Sequence, residues 1–215
     1  MTARPAGPPG LRRFREPPPP ETPRCEMCAE PLEERHGHVV NVQTRALLCT
    51  CRGCSLVMPG SGPGARYRGV PERHLLLPGF RLTAADWEAL QIPVRAAFFF
   101  PHSVLGRYVA FYPSPAGAAE SLLPLDAWDD VLAANPEAPR PLPDVEAYLV
   151  DRGPERLTCH LVPIDACYEL VGLVRLHWKG FHGGPEAWRA IDGFFAEIRA
   201  RAEAEAGVYG EGRRA

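Results

Sequence analysis

The stretch that decides how the chain is read is CEMCAEPLEERHGHVVNVQTRALLCTCRGC, residues 25–54, which opens on Cys25-Glu26-Met27-Cys28 and closes on Cys51-Arg52-Gly53-Cys54. Two residues between thiolates let one tight turn point both sulfurs at a single ion, and two such pairs complete a tetrahedral S4 site. Between the pairs, Val39-Val40-Asn41-Val42 and Ala46-Leu47-Leu48 read as short strands around the turn residues Gln43 to Arg45. The pattern therefore predicts a hairpin with a cysteine pair at each end. A unit spanning residues 25–58 is too small to bury an adequate apolar core, so a bound ion would supply its folding free energy, on the order of 10 kcal/mol in zinc-finger peptides.

The predicted ligands are Cys25, Cys28, Cys51 and Cys54, with Cys49, His36 and His38 as alternates. Cys49 could replace Cys51, add a ligand to a cluster, or merely line the site. His36 and His38 carry imidazoles that suit zinc, but four thiolates already fill a structural site, which favours a surface or supporting role for both rings. Zinc is the first choice of metal, and a single iron or an iron–sulfur cluster is the alternative.

Outward from this stretch the composition bounds the rest. The chain has 215 residues, 24 Lys+Arg against 26 Asp+Glu and a net charge of −2, which gives no long-range attraction for a phosphate backbone, so nucleic acid is not expected as a partner. No apolar run approaches the roughly 20 residues of a spanning helix, and the expectation is a cytoplasmic protein with no membrane span. Seven cysteines, an odd number with five crowded into residues 25–54, argue against a disulfide scaffold in a reducing compartment. Cys159 and Cys167 lie in apolar surroundings and read as inert core thiols. Phosphate-binding loops, dinucleotide fingerprints and nucleophile elbows are absent from the sequence, which leaves enzymatic activity without positive support.

The organisation read from these patterns is a proline-rich, disordered leader (1–24), a metal-binding hairpin module (25–58), a Gly/Pro linker (59–65), a mixed α+β domain (66–205) and a flexible tail (206–215). The fold class is α+β, with a zinc-ribbon-like or rubredoxin-like module preceding the larger domain. Within that domain Thr83 caps a helix through Leu90, Val94 to Phe100 and Arg107 to Tyr112 form neighbouring strands, and Asp126 to Ala134 form a helix. Val145 to Val150 and Leu157 to Pro163 are further strands. Trp188, Ile191, Phe194, Phe195 and Ile198 make an apolar stripe at helical spacing, starting near Pro185.

Four segments, CEMCAEPLEERHGHVV, LLCTCRGC, RLTAADWEALQIPVRAAFFF and CYELVGLVRLHWKGFHGG, together resemble an uncharacterised actinobacterial protein family associated with uptake nickel-iron hydrogenase gene clusters. The resemblance runs from Cys25 to about Ala202. It implies a hydrogenase accessory or maturation role, with a hydrogenase subunit or maturation factor as partner. A rubredoxin-like or iron–sulfur electron carrier in the same pathway is the alternative, although Cys51-Arg52-Gly53-Cys54 lacks the Pro-Leu-Cys-Gly type of knuckle that rubredoxin carries.

Overall fold

The computed structural model describes residues 22–60, 62, 64–121, 126–153 and 157–211. The proline-rich stretch 1–21 and residues 212–215 lie outside the described residues. The chain is mixed α+β. Its first part comprises β1 (Gly37–Asn41), β2 (Ala46–Thr50), α1 (Arg52–Val57) and β3 (Tyr67–Gly69). Then follow β4 (Leu75–Leu76), α2 (Ala84–Ala89), β5 (Ala96–His102), β6 (Arg107–Ser114), β7 (Gly117–Glu120) and α3 (Asp126–Ala134). The chain finishes with β8 (Glu146–Arg152), β9 (Leu157–Pro163), α4 (Ile164–His177) and α5 (Gly184–Glu211).

The larger sheet is antiparallel throughout, in the order β4-β9-β8-β5-β6-β7. Its central strands are buried on both faces, which is why β5 reads as the nearly unbroken apolar run AAFFFPH rather than as an alternation. Alternate residues serve two cores. Phe98, Phe100, Leu149 and Val162 face α4 and α5, whereas Phe99, Tyr148, Val150 and Leu161 face α2 and α3. On the second face the Trp128 ring of α3 stacks on Phe99 at 3.8 Å between centroids. α2 is held at its start by a reciprocal cap: Asp86 N–H donates to Thr83 Oγ1 at 3.1 Å and Thr83 N–H donates to Asp86 Oδ2 at 2.8 Å.

The smaller sheet has the order β2-β1-β3. It corrects the expected domain boundary. β3 comes after the Gly/Pro stretch 59–65 yet pairs with β1, Val40 opposite Arg68, so the module continues past that stretch. The module is also not free-standing. Val40 belongs to the core beneath α4 and α5, with Leu47 and Val70 packed against it. A hairpin with one apolar face must bury that face, and the larger sheet offers the surface. Two ion pairs and a histidine–carboxylate contact frame the junction: Arg68–Asp144 at 2.9 Å, Arg45–Glu120 at 3.8 Å and His38 Nδ1–Asp165 at 2.9 Å.

Both expected ends also shift. Arg24 bridges Pro31 and the Leu32 N–H donates to the Pro23 carbonyl at 2.8 Å, so order begins before Cys25. α5 runs to Glu211, through the first part of the expected tail.

Candidate metal centre

Cys25 and Cys28 sit on a knuckle that precedes β1. The Ala29 N–H donates to the Cys25 carbonyl at 2.8 Å, closing the turn, and Ala29 takes the left-handed conformation at φ 62°. The second pair does not occupy a matching hairpin turn, as a ribbon would require. Cys51 immediately precedes α1 and Cys54 lies in its first turn, three residues on, where helical periodicity turns both side chains to one side. α1 itself has no buried residue. It is fixed by contact with β1, where Gly37 leaves room for Ser55, and by whatever its two sulfurs bind.

The four sulfurs of Cys25, Cys28, Cys51 and Cys54 lie within 4.8 Å of one another, with Cys28 and Cys51 only 3.6 Å apart. None of the seven cysteines is in a disulfide. Burial opposes ionisation of Cys25, but the backbone N–H groups of Cys51, Met27 and Cys28 point at its sulfur and bring its pKa down to about 6. Its neighbours absorb the consequence. The Cys28 sulfur, followed by burial and the Cys51 and Cys25 sulfurs, pushes Cys54 up to about 12. For Cys28 the Glu30 N–H favours the thiolate, but the Cys25 and Cys51 sulfurs outweigh it and raise the pKa. One thiolate is prepared by the fold, and four together require a cation. These four residues therefore form a site that could hold a metal, with a donor set that suits soft or borderline ions.

Cys49, His36 and His38 do not join that set. They form a group of their own, with their donor atoms within 4.8 Å of one another. Cys49 lies in β2 directly across from His38 in β1, and His36 is one pleat period earlier. The Cys49 thiol is pushed up by burial and by the negative charges of Glu26, Asp165 and Cys25. The sequence carries a sign of this group, an H-x-H spacing entering a strand, but Cys49 joins it only once the hairpin register is known. Asp165, which accepts from His38, lies more than a hundred residues away in the chain and has no sequence signature.

Cys159 and Cys167 are buried, and burial raises both thiols well above their ordinary range, as expected of core cysteines. Among the described residues no helix is long and apolar enough to cross a membrane.

No curated protein and no solved structure matches the chain. The protein family described as a family of unknown function (DUF5947) matches residues 24–202, from the residue before the first knuckle cysteine to Ala202 in α5, and the chain belongs to that family.

Proposed function

We propose that Cys25, Cys28, Cys51 and Cys54 hold a structural zinc ion, and that the chain is a non-enzymatic accessory protein that works through protein–protein contacts in the assembly or maturation of a nickel-iron hydrogenase. The observation that carries the metal reading is the convergence within 4.8 Å of four sulfurs in no disulfide, two of them presented at the start of a short helix that buries no residue. Zinc needs no redox partner and takes a closed tetrathiolate as a structural element. The partner class comes from the resemblance of the four quoted segments to the hydrogenase-associated family. Leu56 and Val57, 73% and 80% exposed at the end of α1, give the metal-bearing helix an apolar tip suited to such contacts.

Elemental analysis and visible absorption of protein purified from its native host test the metal. A colourless protein with zinc on these cysteines is the expected result, and a coloured protein containing iron would favour the electron-carrier reading. For the partner, co-purification with hydrogenase subunits is expected, together with impaired hydrogenase maturation when the gene is deleted. Normal maturation in the deletion strain would overturn the accessory role.

A further inference from the structure

His36, His38 and Cys49 converge on the face of the small sheet that turns toward α4. One ring nitrogen of each histidine and the Cys49 sulfur lie within 4.8 Å of one another. In each ring Nδ1 already has a partner. Nδ1 of His36 lies 3.0 Å from the Glu33 carbonyl oxygen, and Nδ1 of His38 lies 2.9 Å from Asp165 Oδ2. A carbonyl and a carboxylate can only accept, so each ring in its neutral form carries its proton on Nδ1 and presents Nε2 as a lone pair. The Nε2 of His36 is buried and has no hydrogen-bond partner among the described residues. An imidazole held through Nδ1–H by a carboxylate or carbonyl, with Nε2 bare, is the arrangement that orients metal-ligating histidines.

The surroundings suit a cation. The Glu26 carboxylate sits at the Cys49 backbone N–H, 2.6 Å away, and the Asp165 carboxylate stands behind His38. Among the described ion pairs no lysine or arginine is paired with either carboxylate, and the one partner of Asp165 is His38 itself.

We propose that His36, His38 and Cys49 form a second metal centre, distinct from the four-cysteine site, which binds a divalent transition cation of the zinc class through two imidazoles and one thiolate and leaves a fourth position open to an exchangeable ligand. The donor set of two nitrogens and one sulfur selects zinc, cobalt, nickel or copper over calcium or magnesium. Binding releases the Cys49 thiol proton to solvent. A dication with one thiolate and two neutral rings carries a net charge of about +1, against −2 for a zinc tetrathiolate, so the two centres are electrostatically complementary. All three residues are only partly buried, which gives the fourth position access to water or to a small anion. Three protein ligands plus an open position is the form of a catalytic or metal-handling site rather than of a closed structural one.

Cobalt(II) titration of the full-length, reduced, metal-free protein tests this. The expected result is two equivalents per chain. The second equivalent should disappear in H36Q/H38Q and in C49S, while the sulfur-to-cobalt absorption of the first remains and reports a folded module. D165N should weaken the second equivalent by about 10- to 100-fold without moving the first. Azide should shift the bands of the second equivalent alone. If C49S also loses the first equivalent, H36Q/H38Q, which keeps every cysteine, decides the outcome. Retention of both equivalents in H36Q/H38Q would overturn the proposal, and so would a wild-type chain that takes up one equivalent. In the latter case C51S would still abolish the single equivalent, so the four-cysteine reading would stand while this one fell.

Discussion

Glu26 and Cys49 hold each other twice. The Cys49 N–H donates to Glu26 Oε2 at 2.6 Å, and the Glu26 N–H donates to the Cys49 carbonyl at 2.9 Å. Glu26 lies between the first two cysteines of the tetrathiolate set, and Cys49 is the thiol of the second group, so one clasp of a backbone and a side-chain bond sets the position of both. E26A removes the charge-assisted half of the clasp. The expected effect is a stability loss of about 1 kcal/mol, since water can reach the exposed N–H, and a larger proportional loss of metal affinity at His36, His38 and Cys49 than at the four cysteines. Thermal melts and paired metal titrations of E26A and wild type would check this.

Metal removal should be felt beyond the module. Because Val40 lies in the core beneath α4 and α5, loss of the ion that organises β1 and β2 uncovers part of the large domain as well. Chelation, or C51S, is expected to lower the main thermal transition by the equivalent of several kcal/mol rather than to melt a detached unit. Hydrogen exchange should show residues 25–60 losing protection first. A chelated protein with an unshifted main transition would contradict this coupling.

Gly37 offers a sharper probe of how α1 is seated. A Cβ at this position would lie 2.7 Å from Ser55 Cβ and 2.9 Å from its Oγ, closer than side-chain atoms pack. G37A should push α1 and Cys54 away from the knuckle and weaken zinc binding. S55G removes both clashing atoms, so the double variant G37A/S55G should recover most of the affinity. Competition with a chromophoric chelator gives the comparison, and absence of rescue would mean that α1 is placed by something else.

His160 ties stability to pH. It is fully buried in β9 against Phe195, and neither ring nitrogen has a hydrogen-bond partner among the described residues. Burial, reinforced by the positive charge of Arg199 and by His74, brings its pKa down from 6.5 to about 4. The unfolded chain therefore binds this proton first. Stability contributed by the neutral ring is fully present above pH 6.5 and is lost as pH falls from there toward 4, by about 2–3 kcal/mol. H160F should flatten that part of the profile. Urea midpoints of both proteins at pH 7 and pH 4.5 separate this effect from proton-driven metal loss, which the two share.

Trp128 separates packing from polarity. Its ring is fully buried and stacked on Phe99, while its indole N–H has no partner among the described residues. W128A should cost about 3–5 kcal/mol through the cavity it leaves. W128F keeps an aromatic ring on Phe99 and removes the unsatisfied donor, so its cost should be well below that of W128A in denaturant unfolding.

The elements that could be read ahead were those whose signals are local. The Thr83 cap, the apolar runs of β5, β6, β8 and β9, and the helical stripe from Trp188 to Ile198 all fold as their own residues dictate. α4 buries Ile164, Cys167, Leu170, Val171 and Val174 at helical spacing, but the exposed Leu176 lies off that stripe and blurs it in the sequence. β3, β4 and β7, of three, two and four residues, exist only through the partners they pair with.

By itself the sequence determined that two cysteine pairs would share one site, because the chemistry of a CxxC turn is contained in four consecutive residues. Tertiary structure alone decided three further things: that the second pair rides on a helix, that β3 closes the module's sheet beyond the Gly/Pro stretch, and that Cys49 meets the two histidines and Asp165 meets His38. Each of these depends on strand register and on the docking of one apolar face against another. Those are contacts between residues far apart in the chain, and no local pattern encodes them.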